Sequence, residues 1–103
     1  MPDGYLEWYV ESEFVQSMED LGLLCLKGDR IKRGWPDHFV FMPGPRTLVI
    51  EFKRDGASKR RGEKLQDHYR KRFEDMNYEV FKITGKEEAD VLRDRIIEEL
   101  GES

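Results

Sequence analysis

The sequence contains little cysteine and no long apolar run, and each shortage excludes a class of protein. A single cysteine, Cys25, among 103 residues cannot form an internal disulfide, so a disulfide-stabilised scaffold is excluded. We expect this thiol to pack in the core. No stretch approaches the roughly 18 consecutive apolar residues of a membrane helix, and the N-terminus lacks the basic and apolar stretches of a signal peptide. We therefore expect a cytoplasmic protein with no membrane partner.

The length and composition predict one compact domain. A chain of 103 residues can bury a single core between two or three layers of secondary structure. Charged residues make up 39% of the sequence and hydrophobic residues 38%, with aromatic residues at 12%. This balance is typical of a soluble folded domain and not of a disordered chain.

The charges are distributed unevenly along the chain, although the net charge is only -4. Residues 1–26 carry a net charge of -6, residues 27–72 carry +8, and residues 73–103 carry -6. A basic centre between acidic ends is expected if one face of the protein contacts phosphate groups. The alternative is an ordinary solvated surface.

Hydrophobic periodicity and turn residues predict an α/β domain with the order α-β-β-β-α-β-α. The predicted elements are a helix over 5–21, a strand over 23–27, a β-hairpin with strands over 36–42 and 47–54 around a turn at 43–46, a helix over 60–77, a strand over 79–84 and a helix over 86–100. Gly22 and Asn77 are expected to end the first two helices. A central mixed sheet flanked by helices is the natural arrangement of these elements.

The hairpin is predicted to bring two carboxylates together. If its turn is centred on Gly44, Asp37 faces Glu51 across the two strands. Facing side chains in such a pair have Cβ atoms about 4.5–5.5 Å apart, so both carboxylates could reach one ion. Lys53 lies on the same face of its strand as Glu51 because side chains alternate along a strand.

This cluster predicts a site for Mg²⁺ or Mn²⁺. Unpaired charge is costly inside a sheet, and a hard divalent cation bound by oxygen ligands would offset that cost. Zinc usually requires cysteine or histidine, and His38 should point away from Asp37. In the alternative interpretation, Asp37 caps the start of its strand and Glu51 pairs with Lys53 or a nearby arginine at the surface.

Two short segments resemble a known nuclease signature. Gly34-Trp35-Pro36-Asp37 followed by Ile50-Glu51-Phe52-Lys53 resembles the PD-(D/E)XK signature, specifically its VRR-NUC (virus-type replication-repair nuclease) branch. The similarity includes a glutamate on the first helix, a strand ending in Lys27, and Gln66 on the following helix. It implies a restriction-endonuclease-like fold and a single nuclease domain over residues 1–103.

The resemblance implies roles for individual residues. Asp37 and Glu51 would bind the metal ion together with the backbone carbonyl of Phe52, and Lys53 would be the catalytic lysine. Gln66 would hold water or the lysine in place. In the alternative interpretation, Gln66 is an exposed helix residue with no role in the site.

The family also places one acidic residue on the first helix. Helical geometry favours Glu11 as this tentative ligand, because it lies about 60° from the centre of the apolar stripe. Glu7 is a near rival, and Glu13 lies on the other side at about 100°. In the alternative interpretation, Glu7 or Glu11 lies at the edge of the apolar stripe of the helix and binds no metal ion.

Members of this branch are similar to phage and bacterial proteins, so the expected setting is a bacterial or phage-infected cell. The resemblance implies Mg²⁺- or Mn²⁺-dependent hydrolysis of branched DNA, most specifically four-way (Holliday) junctions, by a homodimer that leaves a 5′-phosphate. A flap nuclease, a less selective DNA nuclease and a catalytically silent DNA-binding module are the alternatives. Tyr5, Trp8, Tyr9 and Trp35 are candidate dimer contacts that could equally belong to the core.

Basic residues on both sides of the signature are the expected contacts to the DNA backbone. They are Lys27, Arg30, Lys32, Arg33, Arg54, Lys59, Arg60, Arg61 and Lys64. Lys27 could instead pair with the acidic residues of the first helix. Phosphate contacts position DNA without reading its sequence, and their affinity falls steeply with salt. No recognition helix or zinc finger is evident, so we expect selectivity for DNA structure.

Overall fold

The computed structural model describes residues 3–53 and 63–102, with side chains from 8 to 53 and from 64 to 101. Three α-helices and four strands follow one another in the predicted order. They are α1 (Asp3–Asp20), β1 (Leu24–Lys27), β2 (His38–Met42), β3 (Arg46–Lys53), α2 (Glu63–Asp75), β4 (Glu79–Thr84) and α3 (Lys86–Glu102), with a short 3₁₀ turn at Gly28–Arg30.

The four strands form one mixed sheet in the order β1-β2-β3-β4. The two pairings among β1, β2 and β3 are antiparallel, and β4 runs parallel to β3. His38 faces Ile50 and Met42 faces Arg46, so the numbers of each facing pair add up to 88. This is the register predicted from a turn centred on Gly44, which has a φ of +75°.

Three strand starts differ from the sequence-based prediction by one or two residues. β1 begins at Leu24 and not at Leu23. β2 begins at His38 and not at Pro36, because proline has no backbone N–H to donate to a sheet ladder. Arg46 was predicted to belong to the turn, but it is the first residue of β3. Its side chain forms ion pairs with acidic residues on β4 and α3. These partners are distant in sequence, so the residues of the turn do not predict the contact.

Helices α1 and α3 pack together on one face of the sheet and close the main hydrophobic core. The buried residues of α1 recur at every fourth position, which puts them on one side of the helix. The core comprises Val10, Phe14, Met18, Leu23, Val40, Met42, Leu48, Ile50, Phe52, Ile83, Ala89, Leu92 and Ile96. Cys25 is half-buried and packs against this cluster, as expected for a structural thiol.

Helix α2 packs on the opposite face through a group of aromatic rings. Phe73 makes edge-to-face contacts with Trp35, Phe39 and Tyr78 at centroid distances of 5.4–5.7 Å. Trp35 is therefore part of a packed cluster in this chain. The contacts hold α2 over the face of the sheet that carries Glu51 and Lys53.

The predicted helix stops are confirmed by the backbone. Gly22 after α1 and Asn77 after α2 both have left-handed conformations, with φ values of +85° and +68°. Asparagine is one of the few residues other than glycine that adopts this conformation readily. Among the described helices, none combines the length and the apolar character needed to cross a membrane.

Candidate active site

Asp37 is hydrogen-bonded to β3 and to the residue that follows β1. Its Oδ2 accepts a hydrogen bond from the backbone N–H of Phe52 at 2.7 Å, and its carbonyl accepts one from the N–H of Gly28 at 2.9 Å. Extending the register of β2 and β3 by one residue places Asp37 opposite Glu51, as predicted. Asp37 precedes His38, the first residue of β2 that pairs with β3, and its side chain bonds across to β3.

Glu51 is fully buried, with an exposed fraction of 0%. Neither side-chain oxygen accepts a hydrogen bond from a described residue. Among the described residues, Arg70 Nη1 lies 3.5 Å and Lys53 Nζ 3.9 Å from Oε2, within ion-pair distance. Burial raises the pKa of Glu51 despite these two cations, and the charge of Asp37 raises it further.

The pKa of Asp37 is raised to about 6. Burial is the main cause, and the charges of Glu11 and Asp29 act in the same direction. The hydrogen bond from Phe52 favours the ionised form but only partly offsets these effects. Burial thus disfavours the ionised form of both facing carboxylates. This is the condition in which an added cation stabilises them most.

Lys53 is held by the residue predicted to orient it. Its Nζ donates a hydrogen bond to Oε1 of Gln66 on α2. The lysine side chain is only 18% exposed, and Gln66 is half-buried, so Gln66 is not the freely exposed helix residue of the alternative interpretation. The structure brings together Asp37, Glu51, Lys53 and Gln66, and their catalytic roles remain predictions.

Glu11 lies in a polar cluster on the α1 side of the sheet. Its Oε2 lies 2.9 Å from Lys27 Nζ and 3.0 Å from His38 Nε2. These contacts, led by His38, hold the pKa of Glu11 below its usual range. Lys27 therefore pairs with an acid of the first helix, one of its two expected partners, and lies 3.6 Å from Asp29.

The described residues do not gather three side-chain ligands for a metal ion. Within residues 3–53 and 63–102, no three acidic, histidine or cysteine side chains are grouped closely enough to bind one. The roles of Glu11 and of the Phe52 carbonyl as ligands stay predictions. Glu13 faces Lys86 at 3.8 Å, and the side chain of Glu7 lies outside the described residues.

Arg70 is a site residue that sequence analysis missed. Besides its approach to Glu51, its Nη1 donates a hydrogen bond to Asp67 at 2.9 Å. Its Nε lies 3.8 Å from Glu74. Arg70 is one helical turn beyond Gln66, so helical spacing alone could have placed both residues on the face directed at the sheet.

The basic loop before Asp37 packs against α2. Gly34 lies so close to Leu65 that a Cβ atom there would come within 2.5 Å of it, and Lys32 Nζ lies 5.3 Å from the centre of the Tyr69 ring. Of the residues predicted to contact DNA, Arg30, Lys32, Arg33 and Lys64 are exposed. Arg54, Lys59, Arg60 and Arg61, also predicted to contact DNA, lie outside the described residues.

The proposed dimer contacts remain untested. Trp8 and Tyr9 on α1 are 64% and 43% exposed, whereas Trp35 is half-buried. The side chain of Tyr5 lies outside the described residues.

Comparison with known proteins identifies one relevant fold. No protein-family model matches the sequence, and no curated protein matches it significantly. Among solved structures, the chain is similar to one described as a VRR_NUC domain, with 27% sequence identity and a TM-score of 0.65. The match covers 85% of this chain and 94% of the solved chain. The predicted VRR-NUC type of fold is thereby confirmed, and the similarity supports a nuclease function.

Proposed function

Because the chain has the VRR-NUC fold, we propose that it is a metal-dependent endonuclease that hydrolyses phosphodiester bonds in branched DNA, with four-way junctions as the preferred substrate. One observation carries the proposal: Glu51 is completely buried without a hydrogen bond from any described residue, opposite Asp37 and beside Lys53. A hairpin with only a structural role would gain stability by replacing such a group.

The carboxylate pair fits a hard divalent cation. Asp37 and Glu51 would hold Mg²⁺ or Mn²⁺, with the carbonyl of Phe52 and the carboxylate of Glu11 as further proposed ligands. Oxygen donors without nearby thiolates suit these ions better than zinc. When bound, the ion supplies Lewis-acid polarisation of the phosphodiester and lowers the pKa of a coordinated water.

Lys53 supplies the positive charge that the reaction needs beside the carboxylates. Its ammonium group orients the attacking water and stabilises the negative charge that develops on the phosphate oxygens. Gln66 accepts a hydrogen bond from this group and restricts its direction. The pair thus acts as one positioned cation.

The exposed basic residues of the loop and the start of α2 provide the proposed DNA contacts. Arg30, Lys32, Arg33 and Lys64 lie on segments that pack against each other beside the site. They can bind phosphates of either strand without reading bases. Selectivity for a junction would arise from a homodimer, because a two-fold axis presents two active sites to two strands.

Cleavage assays on matched substrates test the proposal. The purified protein would be incubated with four-way, flap and linear DNA in Mg²⁺ or Mn²⁺, alongside Asp37→Ala, Lys53→Ala and the exposed-helix control Lys71→Ala. We expect junction cleavage by wild type and Lys71→Ala, and loss of cleavage with retained DNA binding in the other two variants. Preferred cleavage of flaps or linear DNA would replace the junction assignment. Binding without cleavage by wild type would indicate a silent DNA-binding module.

The oligomeric state is tested separately. Analytical ultracentrifugation of the full chain, alone and with junction DNA, should detect two copies per junction. A single copy that cuts both strands would contradict the homodimer.

A further inference from the structure

Arg70 brings a second positive charge to Glu51 that the proposed hydrolysis does not require. Its side chain is 21% exposed, and its guanidinium lies closer to Glu51 Oε2, at 3.5 Å, than Lys53 does, at 3.9 Å. Contacts to Asp67 and Glu74 on the same helix hold the guanidinium in place. The charge is therefore anchored independently of Glu51.

Arg70 keeps a positive charge close to Glu51 when another cation arrives, because a guanidinium is always charged in proteins. The anchoring acids on α2 also prevent a long retreat of the guanidinium. A divalent ion at Glu51 would consequently bind within a few ångströms of a fixed positive charge.

Arg70 places a positive charge beside Glu51 before any ion binds. A divalent ion on its own would add an excess of positive charge within a few ångströms of this guanidinium, in a poorly solvated place. A phosphodiester group at the same place brings a charge of -1 and reduces that excess. The ion and the DNA should therefore favour each other's binding.

We propose that Arg70 is a positioning residue that couples cation binding to DNA binding. Its guanidinium balances Glu51 in the free protein, opposes binding of a divalent ion alone, and favours binding of the ion together with a DNA phosphate. This inference rests on the proposed metal-dependent nuclease function. Its physical consequence is reciprocal: DNA strengthens metal binding by the same factor by which metal strengthens DNA binding.

Metal titration without DNA tests the first half of the inference. Calorimetric titration of Mn²⁺ into the full chain would compare wild type with Arg70→Gln, Arg70→Lys and the control Arg72→Gln, an exposed arginine on the same helix. We expect Arg70→Gln to bind Mn²⁺ roughly tenfold more tightly than wild type. The Mn²⁺ affinity of Arg70→Lys should be intermediate, because lysine keeps the positive charge but its shorter side chain holds that charge farther from Glu51. Arg72→Gln should match wild type.

Fluorescence anisotropy with labelled four-way DNA tests the second half. The ratio of DNA affinities in Ca²⁺ and in chelator measures the coupling, and a gel confirms that the DNA stays intact. We expect this ratio to be several-fold larger in wild type and Arg72→Gln than in Arg70→Gln. A purely structural role for Arg70 would lower both affinities and leave no tighter metal binding.

Unchanged or weaker Mn²⁺ binding by folded Arg70→Gln would overturn the inference while leaving the nuclease function intact. If circular dichroism shows that Arg70→Gln is unfolded, Arg70→Lys decides the question, and an affinity equal to or below that of wild type overturns the inference. Absence of Mn²⁺ binding in every protein, wild type included, would overturn the inference together with the proposed metal dependence.

Discussion

The Oδ2 of Asp37 accepts the backbone N–H of Phe52 at 2.7 Å, so the residue preceding β2 is bonded directly to the centre of the Glu-x-Lys segment. The side chain of Phe52 lies in the main core, where its ring contacts Phe14 at a centroid distance of 5.8 Å. Phe52 thus links the carboxylate pair on the α2 face of the sheet to the hydrophobic core on the opposite face. The spacing of the two acids depends on core packing as much as on the hairpin.

The raised pKa of Asp37 predicts a pH-dependent contribution to stability in the absence of metal. An aspartate in the unfolded chain has a pKa of about 3.9, whereas that of Asp37 in the folded chain is about 6. The folded state therefore holds the proton more tightly. The resulting stability is fully present below about pH 4 and is lost as the pH rises through about 6.

Urea unfolding in chelator can measure this contribution. The difference in unfolding free energy between wild type and Asp37→Asn should fall by about 1–2 kcal/mol from pH 4 to pH 7. Glu79→Gln is a control with the opposite pH dependence. The hydrogen bond from Arg46 lowers the pKa of Glu79, so the contribution of Glu79 to stability is lost as the pH falls. An Asp37 difference that grows with pH would show that the ionised form is the favoured one.

Removing the acceptor of Lys53 should impair catalysis without impairing DNA binding. In Gln66→Ala the ammonium group loses its hydrogen bond to Gln66, so its direction is less restricted. We expect kcat to fall by about ten- to a hundred-fold, with the DNA Kd changed less than about two-fold. Gln16→Ala, which removes an exposed contact to Asp20 on α1, should leave both unchanged. Equal losses in binding and turnover would indicate that Gln66 contacts DNA instead.

The close approach of Gly34 to α2 predicts that an added methyl group disturbs the site. Gly34 has a φ of +89°, and a Cβ there would come within 2.5 Å of Leu65 and 3.2 Å of Tyr69. Gly34→Ala should therefore lose about 2–4 kcal/mol of stability through strain and displacement of α2. Gly44→Ala has a similar φ but open space around it, so it should lose only about 1 kcal/mol.

Thermal and urea unfolding would compare the two glycine variants. We expect Gly34→Ala also to reduce nuclease activity, because α2 carries Gln66 and Arg70. Equal destabilisation of both variants would mean that backbone strain alone matters at position 34.

Arg46 is predicted to stabilise the packing of β3 against β4 and α3. Its guanidinium contacts Glu79 through two nitrogens at 2.5 and 2.8 Å and Glu99 through a third contact at 2.8 Å. These groups are each more than a quarter exposed, so solvent screening limits their effect. Arg46→Ala should lower the unfolding free energy by about 1 kcal/mol, with Lys71→Ala as a neutral control. The loss should shrink in 1 M salt, and a salt-independent loss would indicate packing of the aliphatic stem instead.

Much of the fold could be predicted because its signals are local. Apolar periodicity indicated every helix and strand, and Gly22, Gly44 and Asn77 marked sharp changes of direction that few other residues can adopt. The hairpin register followed from the turn, and it correctly placed Asp37 opposite Glu51. His38 was correctly assigned to the other face by simple alternation.

The residues that sequence analysis misplaced or missed depend on contacts between distant segments. Arg46 looked like a turn residue because its acidic partners lie 33 and 53 positions away. Arg70 was missed because its spacing from Gln66 places both residues on one face of α2 but does not show that Arg70 meets Glu51. The pairing of Glu11 with Lys27 and His38 likewise required the position of α1 on the sheet.

The amino-acid sequence by itself determined the order of the elements, the strand register and which residues share a face, because backbone geometry and side-chain periodicity act over a few neighbouring residues. Only the tertiary structure decided which charges meet: that Lys53 bonds to Gln66, that Arg70 lies beside a buried Glu51, and that Asp37 is fixed by Phe52. Electrostatic and hydrogen-bond partners are set by distances in space, which arise when α1, α2 and α3 pack onto the two faces of the sheet.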